Sequence, residues 1–175
     1  MNSQAALPPI VDVNLAPGQF YFGAGYTRIH TLLGSCVAIT MWHPKRLIGG
    51  MCHYLLPTRA GNTRLPPGHF ADGAVALFLE EIRRQNTLAQ DYEIKLFGGA
   101  DMFAALGHRP GAVNISSSNI EGGMRLLQAR GLRIKCRDVG GTQHRKIFLE
   151  LWNGDVWVQR GPARAGDGVK LRAFD

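Results

Sequence analysis

Two side chains that could act together in catalysis lie on either side of a short apolar run, namely Cys36 and His53. Cysteine reacts as its thiolate, and a histidine within hydrogen-bond reach is one of the usual ways to make that thiolate available near neutral pH. Such a pair can attack a carbonyl carbon and form a covalent intermediate. The residue types therefore indicate a nucleophile and a base, provided that the fold brings them together.

A β-hairpin would do this. The segment Val37–Trp42 is rich in β-branched and aromatic residues, which is typical of a strand, and His43-Pro-Lys-Arg46 predicts the turn. The returning strand contains Gly49-Gly50, where a bulge would shift the register. Ahead of the hairpin, we expect Gly34 to let the backbone turn tightly before Ser35 and the cysteine.

The predicted register assigns the reactive cysteine. A four-residue loop over residues 43–46 pairs Trp42 with Leu47 and sets Cys36 directly opposite His53 on one face. Cys52 then points to the other face of its strand, because side chains alternate along a strand. Cys36 is therefore predicted to be the reactive cysteine and Cys52 to be a core residue.

The remaining pattern predicts an α+β fold. Strands are expected at 10–15, 19–22, 26–33, 92–97, 132–137, 146–152 and 155–159, the last two joined by a two-residue turn at Asn153-Gly154. One helix is expected around Ala74–Ile82 with Asp72 as its cap, and another around Met124–Arg130 behind a capping box at Ser118–Glu121. Hairpins without regular βαβ alternation predict a mixed or antiparallel sheet with about two main helices.

Length and composition set the bounds. The 175 residues, 45% of them hydrophobic, predict a single domain over residues 1–175, with a core at about 11–160, a loose N-terminal leader and a loose basic tail. There is neither an apolar run of about 18 residues nor a signal-peptide pattern, so we expect a cytoplasmic protein without membrane insertion.

Cysteine and charge patterns exclude several classes of protein. Three cysteines without CxxC spacing disfavour a disulfide framework and structural zinc. Shared zinc coordination by Cys36, Cys52, His53 and His69 is disfavoured, since the adjacent pair points to opposite strand faces. We therefore expect no metal and no organic cofactor. The net charge of +7 weakly favours an acidic partner, and the absence of a recognisable motif argues against nucleic acid.

Several separated motifs in order make the sequence resemble the CheD family, the bacterial chemoreceptor glutamine deamidases. The resemblance runs from about Val11 to about Arg160, and its motifs are Pro17-Gly18, Thr31-Leu-Leu-Gly-Ser-Cys-Val37, Gly49-Gly-Met-Cys-His-Tyr-Leu-Leu-Pro57, Lys95-Leu-Phe-Gly-Gly-Ala-Asp-Met-Phe103, Asn114, Asp138-Val-Gly-Gly141 and Arg145-Lys-Ile147. It implies an α/β sandwich of layered sheets, similar to the catalytic domain of the cytotoxic necrotizing factor toxins. It also implies a hydrolase of linear amides, a protein-glutamine glutaminase that converts glutamines of methyl-accepting chemotaxis receptors to glutamates with release of ammonia.

The resemblance also implies site residues. By position, the nucleophile of the family falls on Cys36 and its histidine on His53, with a threonine upstream as the third member. Thr31 is favoured for its hydroxyl, although His30 can occupy the corresponding place, and a strand would put the two on opposite faces. We expect His53 to hold Cys36 as a thiolate, with oxyanion and turn support near Gly34 and Ser35.

Partners and rival functions follow from the same resemblance. It implies binding to the cytoplasmic domains of chemotaxis receptors and to a CheC-type phosphatase. A member that kept only these contacts would be a non-enzymatic adaptor. The same cysteine and histidine could also serve a cysteine peptidase or a transglutaminase-like acyl transferase.

Overall fold

A computed structural model of the chain describes residues 8–59, 61, 63–104, 113–161 and 169–171. The described elements are ten strands and two α-helices, together with short 3-10 turns. Their bounds are β1 Val11–Asn14, β2 Phe20–Ala24, β3 Thr27–Leu33, β4 Val37–His43, β5 Ile48–Tyr54, α1 Ala71–Arg84, β6 Glu93–Gly98, α2 Ile115–Ala129, β7 Ile134–Val139, β8 Arg145–Glu150, β9 Val156–Arg160 and β10 Val169–Leu171.

The strands form two five-stranded sheets. The first sheet has the order β1-β3-β8-β9-β10 and the second has the order β2-β5-β4-β6-β7. The pairs β1–β3 and β6–β7 are parallel and the other neighbours are antiparallel, so both sheets are mixed. The strand that ends just before Cys36 therefore belongs to the first sheet, whereas the strand that carries His53 belongs to the second.

Two apolar cores hold three layers together. Between the sheets, Ile29 and Leu149 of the first sheet pack with Ala38 and Phe97 of the second. On the other side of the second sheet, strand residues pack against the buried faces of the two helices, as Phe78 of α1 does. The second sheet is thus covered on both faces, and every residue of β4 and β5 is buried. The predicted α+β architecture, with layered mixed sheets and two helices outside, is confirmed.

The predicted register of the β4–β5 hairpin is wrong by two residues. His43 pairs with Ile48 and Ala38 pairs with His53, so the loop spans residues 44–47. Leu47 closes the loop with a positive φ of 51°, and its N–H bonds to the carbonyl of His43 at 2.9 Å. Leucine rarely adopts this conformation, so the residue type at position 47 does not indicate that it is the last residue of the loop.

The β8–β9 hairpin has the same kind of loop, and its predicted two-residue turn is also wrong. Leu149 pairs with Val156, and the N–H of Glu150 donates to the carbonyl of Asp155 at 3.0 Å, so the loop spans residues 151–154. Gly154 has a φ of 73° and donates to the carbonyl of Glu150 at 2.8 Å. In both hairpins a four-residue loop ends on a left-handed residue. Because each correction amounts to two residues, side chains keep the sheet face that was predicted for them.

Both helix starts differ from the predicted caps. Helix α1 follows Phe70, and Asp72 lies inside its first turn, where its carboxylate accepts from the N–H groups of Arg59 and Gly73. Helix α2 begins at Ile115, and the side chain of Asn114 caps it by accepting from the Ser117 N–H at 3.1 Å. The predicted capping box at Ser118–Glu121 therefore lies within the helix.

The tail is not loose throughout, because Val169–Leu171 pairs antiparallel with β9. The other residues of the predicted tail, 162–168 and 172–175, and the first seven residues of the predicted leader lie outside the described residues. Within the part of the chain that the structure describes, neither helix is long and apolar enough to span a bilayer.

Candidate active site

Cys36 lies in the three-residue connection between β3 and β4, and a glycine turn after β6 holds this connection in place. The N–H of Gly99 donates to the carbonyl of Cys36, and the N–H of Ala100 donates to the carbonyl of Gly34, both at 2.8 Å. Gly98 and Gly99 have φ values of 107° and 68°, and a Cβ at Gly98 would collide with the Cys36 carbonyl oxygen. These two glycines therefore allow the close backbone approach that positions the cysteine.

The predicted reason for Gly34 is wrong. Its φ lies outside the left-handed region, and the nearest atom to a Cβ built there is a Met102 carbon at 3.5 Å, an ordinary contact. A side chain at residue 34 would thus meet neither backbone strain nor a clash. The positive φ values occur instead at Gly98 and Gly99, in the turn that is hydrogen-bonded to the Cys36 connection.

His53 is buried between the sheets, and a hydroxyl of the opposite sheet holds its ring. Its Nδ1 atom lies 2.7 Å from Oγ1 of Thr31, and the same Oγ1 lies 2.7 Å from the carbonyl oxygen of Leu15. The exposed fractions of His53 and Thr31 are 2% and 0%. The Thr31–His53 hydrogen bond therefore bridges the two sheets in a dry environment.

The two contacts of the Thr31 hydroxyl determine the tautomer of His53. A hydroxyl has one proton, and the Leu15 carbonyl can only accept, so Thr31 donates to Leu15 and accepts from Nδ1–H of His53. In the neutral ring this leaves Nε2 without a proton, and therefore able to take one. Buried Nε2 has no hydrogen-bond partner among the described residues.

His30, the alternative to Thr31, points the other way. It pairs with Phe148 of β8 on the outer face of the first sheet, where the two rings lie 5.6 Å apart. Burial and the nearby Lys146 lower the pKa of His30. The alternation along β3 thus gives the inward position beside His53 to Thr31 and excludes His30 from it.

Cys36 and His53 share the inter-sheet side of the second sheet. His53 pairs with Ala38, two residues after Cys36, so the two side chains are diagonal neighbours, whereas direct opposition was predicted. Diagonal neighbours have Cα atoms roughly 7–8 Å apart, a separation that aromatic and long side chains can span. Cys36 is half-buried and packs against the core between the sheets.

Burial favours the neutral forms of both groups. It raises the pKa of the Cys36 thiol, an effect that a hydrogen bond with the Ser35 side chain opposes, and it lowers the pKa of His53 to about 4. Both shifts favour a neutral thiol and a neutral imidazole, whereas the sequence predicts a thiolate at Cys36. Such an imidazole can accept the thiol proton during attack on a carbonyl.

Two backbone groups beside the thiol are available as hydrogen-bond donors. Within the described part of the chain, the N–H groups of Ser35 and Cys36 have no acceptor. Donors of this kind can stabilise the oxyanion of a tetrahedral intermediate when they lie close to it.

The other cysteines are separate from this pair. Cys52 points into the helix-side core, where burial raises its pKa to about 12, and Cys136 is buried on β7. His69 packs against Gly18. Among the described residues, no group of three or more His, Cys, Asp or Glu side chains is arranged to hold a metal ion.

Sequence reasoning missed three contributors to the site. The Leu15 carbonyl was missed because a backbone acceptor leaves no trace in residue type. Gly98 and Gly99 were named only within a family motif, although two adjacent glycines after a strand signal a left-handed or crowded backbone. Asn119 lies within the predicted capping box, although an asparagine inside a helix is unfavourable and therefore suggests a specific bond.

Comparisons with known proteins agree on one family. Residues 55–160 match the family model described as CheD chemotactic sensory transduction. A protein of Pseudomonas fluorescens named probable chemoreceptor glutamine deamidase CheD is 46% identical over 151 residues, which cover 86% of this chain and 85% of the relative. A protein of the same name from Pseudomonas savastanoi pv. phaseolicola is 42% identical over 156 residues, which cover 89% and 88%.

The family model begins after His53, but the alignments with the relatives extend further. An alignment that covers 156 of the 175 residues necessarily includes the segment from Thr31 to His53. The similarity therefore spans the candidate site as well as the second half of the chain.

Proposed function

The chain belongs to the CheD family, and from this premise we propose that it is a chemoreceptor glutamine deamidase. It hydrolyses glutamine side-chain amides of chemotaxis receptors to glutamates and releases ammonia. Cys36 is the nucleophile, His53 is the general base and then the general acid, and Thr31 orients the ring of His53. The observation that carries this assignment is the hydrogen bond from His53 to Thr31, which leaves Nε2 as an acceptor on the side of the sheet where Cys36 lies.

The first half of the reaction forms a thioester. As the Cys36 sulfur attacks the amide carbon of glutamine, the thiol proton passes to Nε2 of His53, and the imidazolium keeps its Nδ1–H bond to Thr31. The backbone N–H groups of Ser35 and Cys36 stabilise the oxyanion. His53 then gives its proton to the leaving nitrogen, and the C–N bond breaks to release ammonia.

The second half regenerates the enzyme. His53, now neutral, takes a proton from a water molecule that attacks the thioester carbon. The C–S bond breaks, the sulfur recovers the proton from His53, and the product is a glutamate side chain. In total one water is consumed and one ammonia is released for each glutamine.

Substrate docking agrees with the charge of the chain. The net charge of +7 favours an acidic partner surface such as a glutamate-rich receptor helix. We take residues 11–160 as the catalytic core. The cytoplasmic location, the CheC-type phosphatase partner and the absence of cofactors and nucleic acid stay predictions.

The test is incubation with a purified receptor cytoplasmic fragment, followed by peptide mass spectrometry and measurement of ammonia. Wild type should convert particular glutamines to glutamates, and Cys36→Ala should convert none. If both variants produce the same spectrum, the proposal fails.

Other products would identify the rival activities. Cleavage of the receptor chain would indicate a peptidase, and cross-linking to an added amine would indicate an acyl transferase. Receptor binding without any chemical change would indicate a non-enzymatic adaptor.

A further inference from the structure

Asn119 joins the segment that carries Cys36 to the segment that carries His53. It lies in α2 and is fully buried, with an exposed fraction of 0%. Its Nδ2 atom donates to the carbonyl of Ser35 at 3.2 Å and to the carbonyl of Leu55 at 2.8 Å. Ser35 precedes Cys36, and Leu55 follows His53 by two residues, directly after the end of β5.

The chemistry of this contact leaves no alternative orientation of the amide. Both neighbours are carbonyl oxygens, so the amino group must face them, and each of its two hydrogens has an acceptor. The Oδ1 atom has no partner within the described residues. A buried amide whose donors are both used in this way fixes the separation of two backbone segments more strictly than apolar packing does.

We propose that Asn119 is a positioning residue that sets the distance between the Cys36 sulfur and the His53 ring. The proposal deepens the proposed function, on which its catalytic readout rests. A side chain outside the reacting pair controls the geometry because the Cys36 connection has few other anchors. Among the described residues, the other hydrogen bonds to the backbone of residues 34–36 come from Gly99 and Ala100, on the side of β6.

A second bond of the same helix residue supplies a matched control. The hydroxyl of Tyr54 donates to the backbone carbonyl of Asn119 at 2.7 Å. Tyr54→Phe therefore removes a buried hydrogen bond between the same strand and the same helix turn, but it leaves the side-chain bridge to Ser35 intact. Tyr54→Phe and an Asn119→Ala substitution should each lower the Tm by about 2–10 °C, as expected when buried hydrogen bonds are lost.

The catalytic readout is deamidation of the receptor fragment by Asn119→Ala and Asn119→Ser, the second of which retains at most one donor. A displaced nucleophile should lower kcat about 100-fold in Asn119→Ala, with KM changed little. Tyr54→Phe should keep kcat near that of wild type.

The second readout does not depend on the activity. A connection freed from Asn119 exposes its half-buried thiol, so alkylation of Cys36 by iodoacetamide should become several-fold faster, whereas buried Cys52 stays protected. Slower catalysis together with faster alkylation of Cys36 alone indicates that only the Cys36 connection has moved. A general loosening of the fold would expose Cys52 to alkylation as well.

Three results would overturn the proposal. These are an unchanged Cys36 alkylation rate in Asn119→Ala and Asn119→Ser, equal loss of kcat in Tyr54→Phe, and exposure of Cys52 in step with Cys36. If wild type has no deamidase activity, the proposed function fails, but the alkylation rates still decide whether Asn119 holds the connection.

Discussion

Replacing Thr31 by valine tests the hydrogen bond on which the assignment of His53 depends. Valine keeps the size and branching of threonine on strand β3 but removes the hydroxyl. The change leaves Nδ1–H of His53 without its acceptor and the Leu15 carbonyl without its donor. The ring can then adopt the other tautomer, in which Nε2 carries the proton and cannot accept one from Cys36.

The expected size of the effect follows from burial. Each unsatisfied buried group costs about 1–3 kcal/mol, and partial relaxation brings the total to about 2–4 kcal/mol, or roughly 5–15 °C in Tm. General-base catalysis contributes about 10²–10⁴-fold, so kcat should fall by about 10²-fold when the base loses its orientation.

The assay is ammonia release from a receptor fragment, with thermal unfolding measured in parallel. Thr31→Ser restores the hydroxyl and should recover most of kcat. Thr27→Val is the matched stability control, because Thr27 is a buried residue of the same strand whose hydroxyl donates only to Ala24, away from His53. It should lower the Tm without lowering kcat.

Nitrogen NMR of His53 gives a check that does not require substrate, with Nδ1–H expected in wild type. The reasoning is refuted if Thr31→Val keeps wild-type kcat, if Thr31→Ser is as inactive as Thr31→Val, or if the wild-type ring has its proton on Nε2.

Three further predictions concern pH, an ion pair and the second cysteine. Burial lowers the pKa of His53 from 6.5 to about 4, so the unfolded ring binds a proton in this window and the folded ring does not. The contribution of the neutral ring to the free energy of unfolding is complete above pH 6.5, and about 3 kcal/mol of it is lost as the pH falls towards 4. In urea unfolding at pH 6.5 and pH 4, His53→Gln should therefore show a smaller fall in the free energy of unfolding than wild type. Asp138→Asn leaves the buried Arg145, 3% exposed, without its carboxylate and should lower the free energy of unfolding by about 3–5 kcal/mol. Asp12→Asn, in the exposed pair with Arg28, should lower it by less than about 1 kcal/mol. Equal losses in urea unfolding would contradict this prediction. Cys52→Ala should keep most of the deamidase activity, because Cys52 faces the helices, and a variant as inactive as Cys36→Ala would show that the cysteines have been assigned wrongly.

Strand periodicity made much of the fold predictable. Alternating or β-branched segments correctly predicted strands such as β3, β4 and β6, and the apolar stripe through Phe78 correctly predicted α1. The hairpin loops were misplaced, since loop position depends on which residue takes a left-handed conformation, and Leu47 does so without being a glycine. Helix α2 was predicted to start too late, because its cap is Asn114 and not the serine of an apparent capping box.

Cys36 and His53 share a sheet face despite the incorrect register, and the reason is physical. Side chains alternate with a period of two, and the true register differs from the predicted one by two residues, so both residues keep their predicted face. Residue type and periodicity alone therefore placed Cys36 and His53 on the same side of the second sheet, although they missed the diagonal offset between them.

The partner of His53 was decided only by tertiary structure. Thr31 belongs to the first sheet and His53 to the second, and no strand pairing links β3 to β5. Their contact, and those of Asn119 with Ser35 and Leu55, exist because the layers stack at one particular offset, which the packing of two cores sets. The local pattern of the sequence placed the proposed nucleophile and base on one side of a sheet, whereas the packing of sheet on sheet and helix on sheet brought Thr31 and Asn119 into contact with their segments.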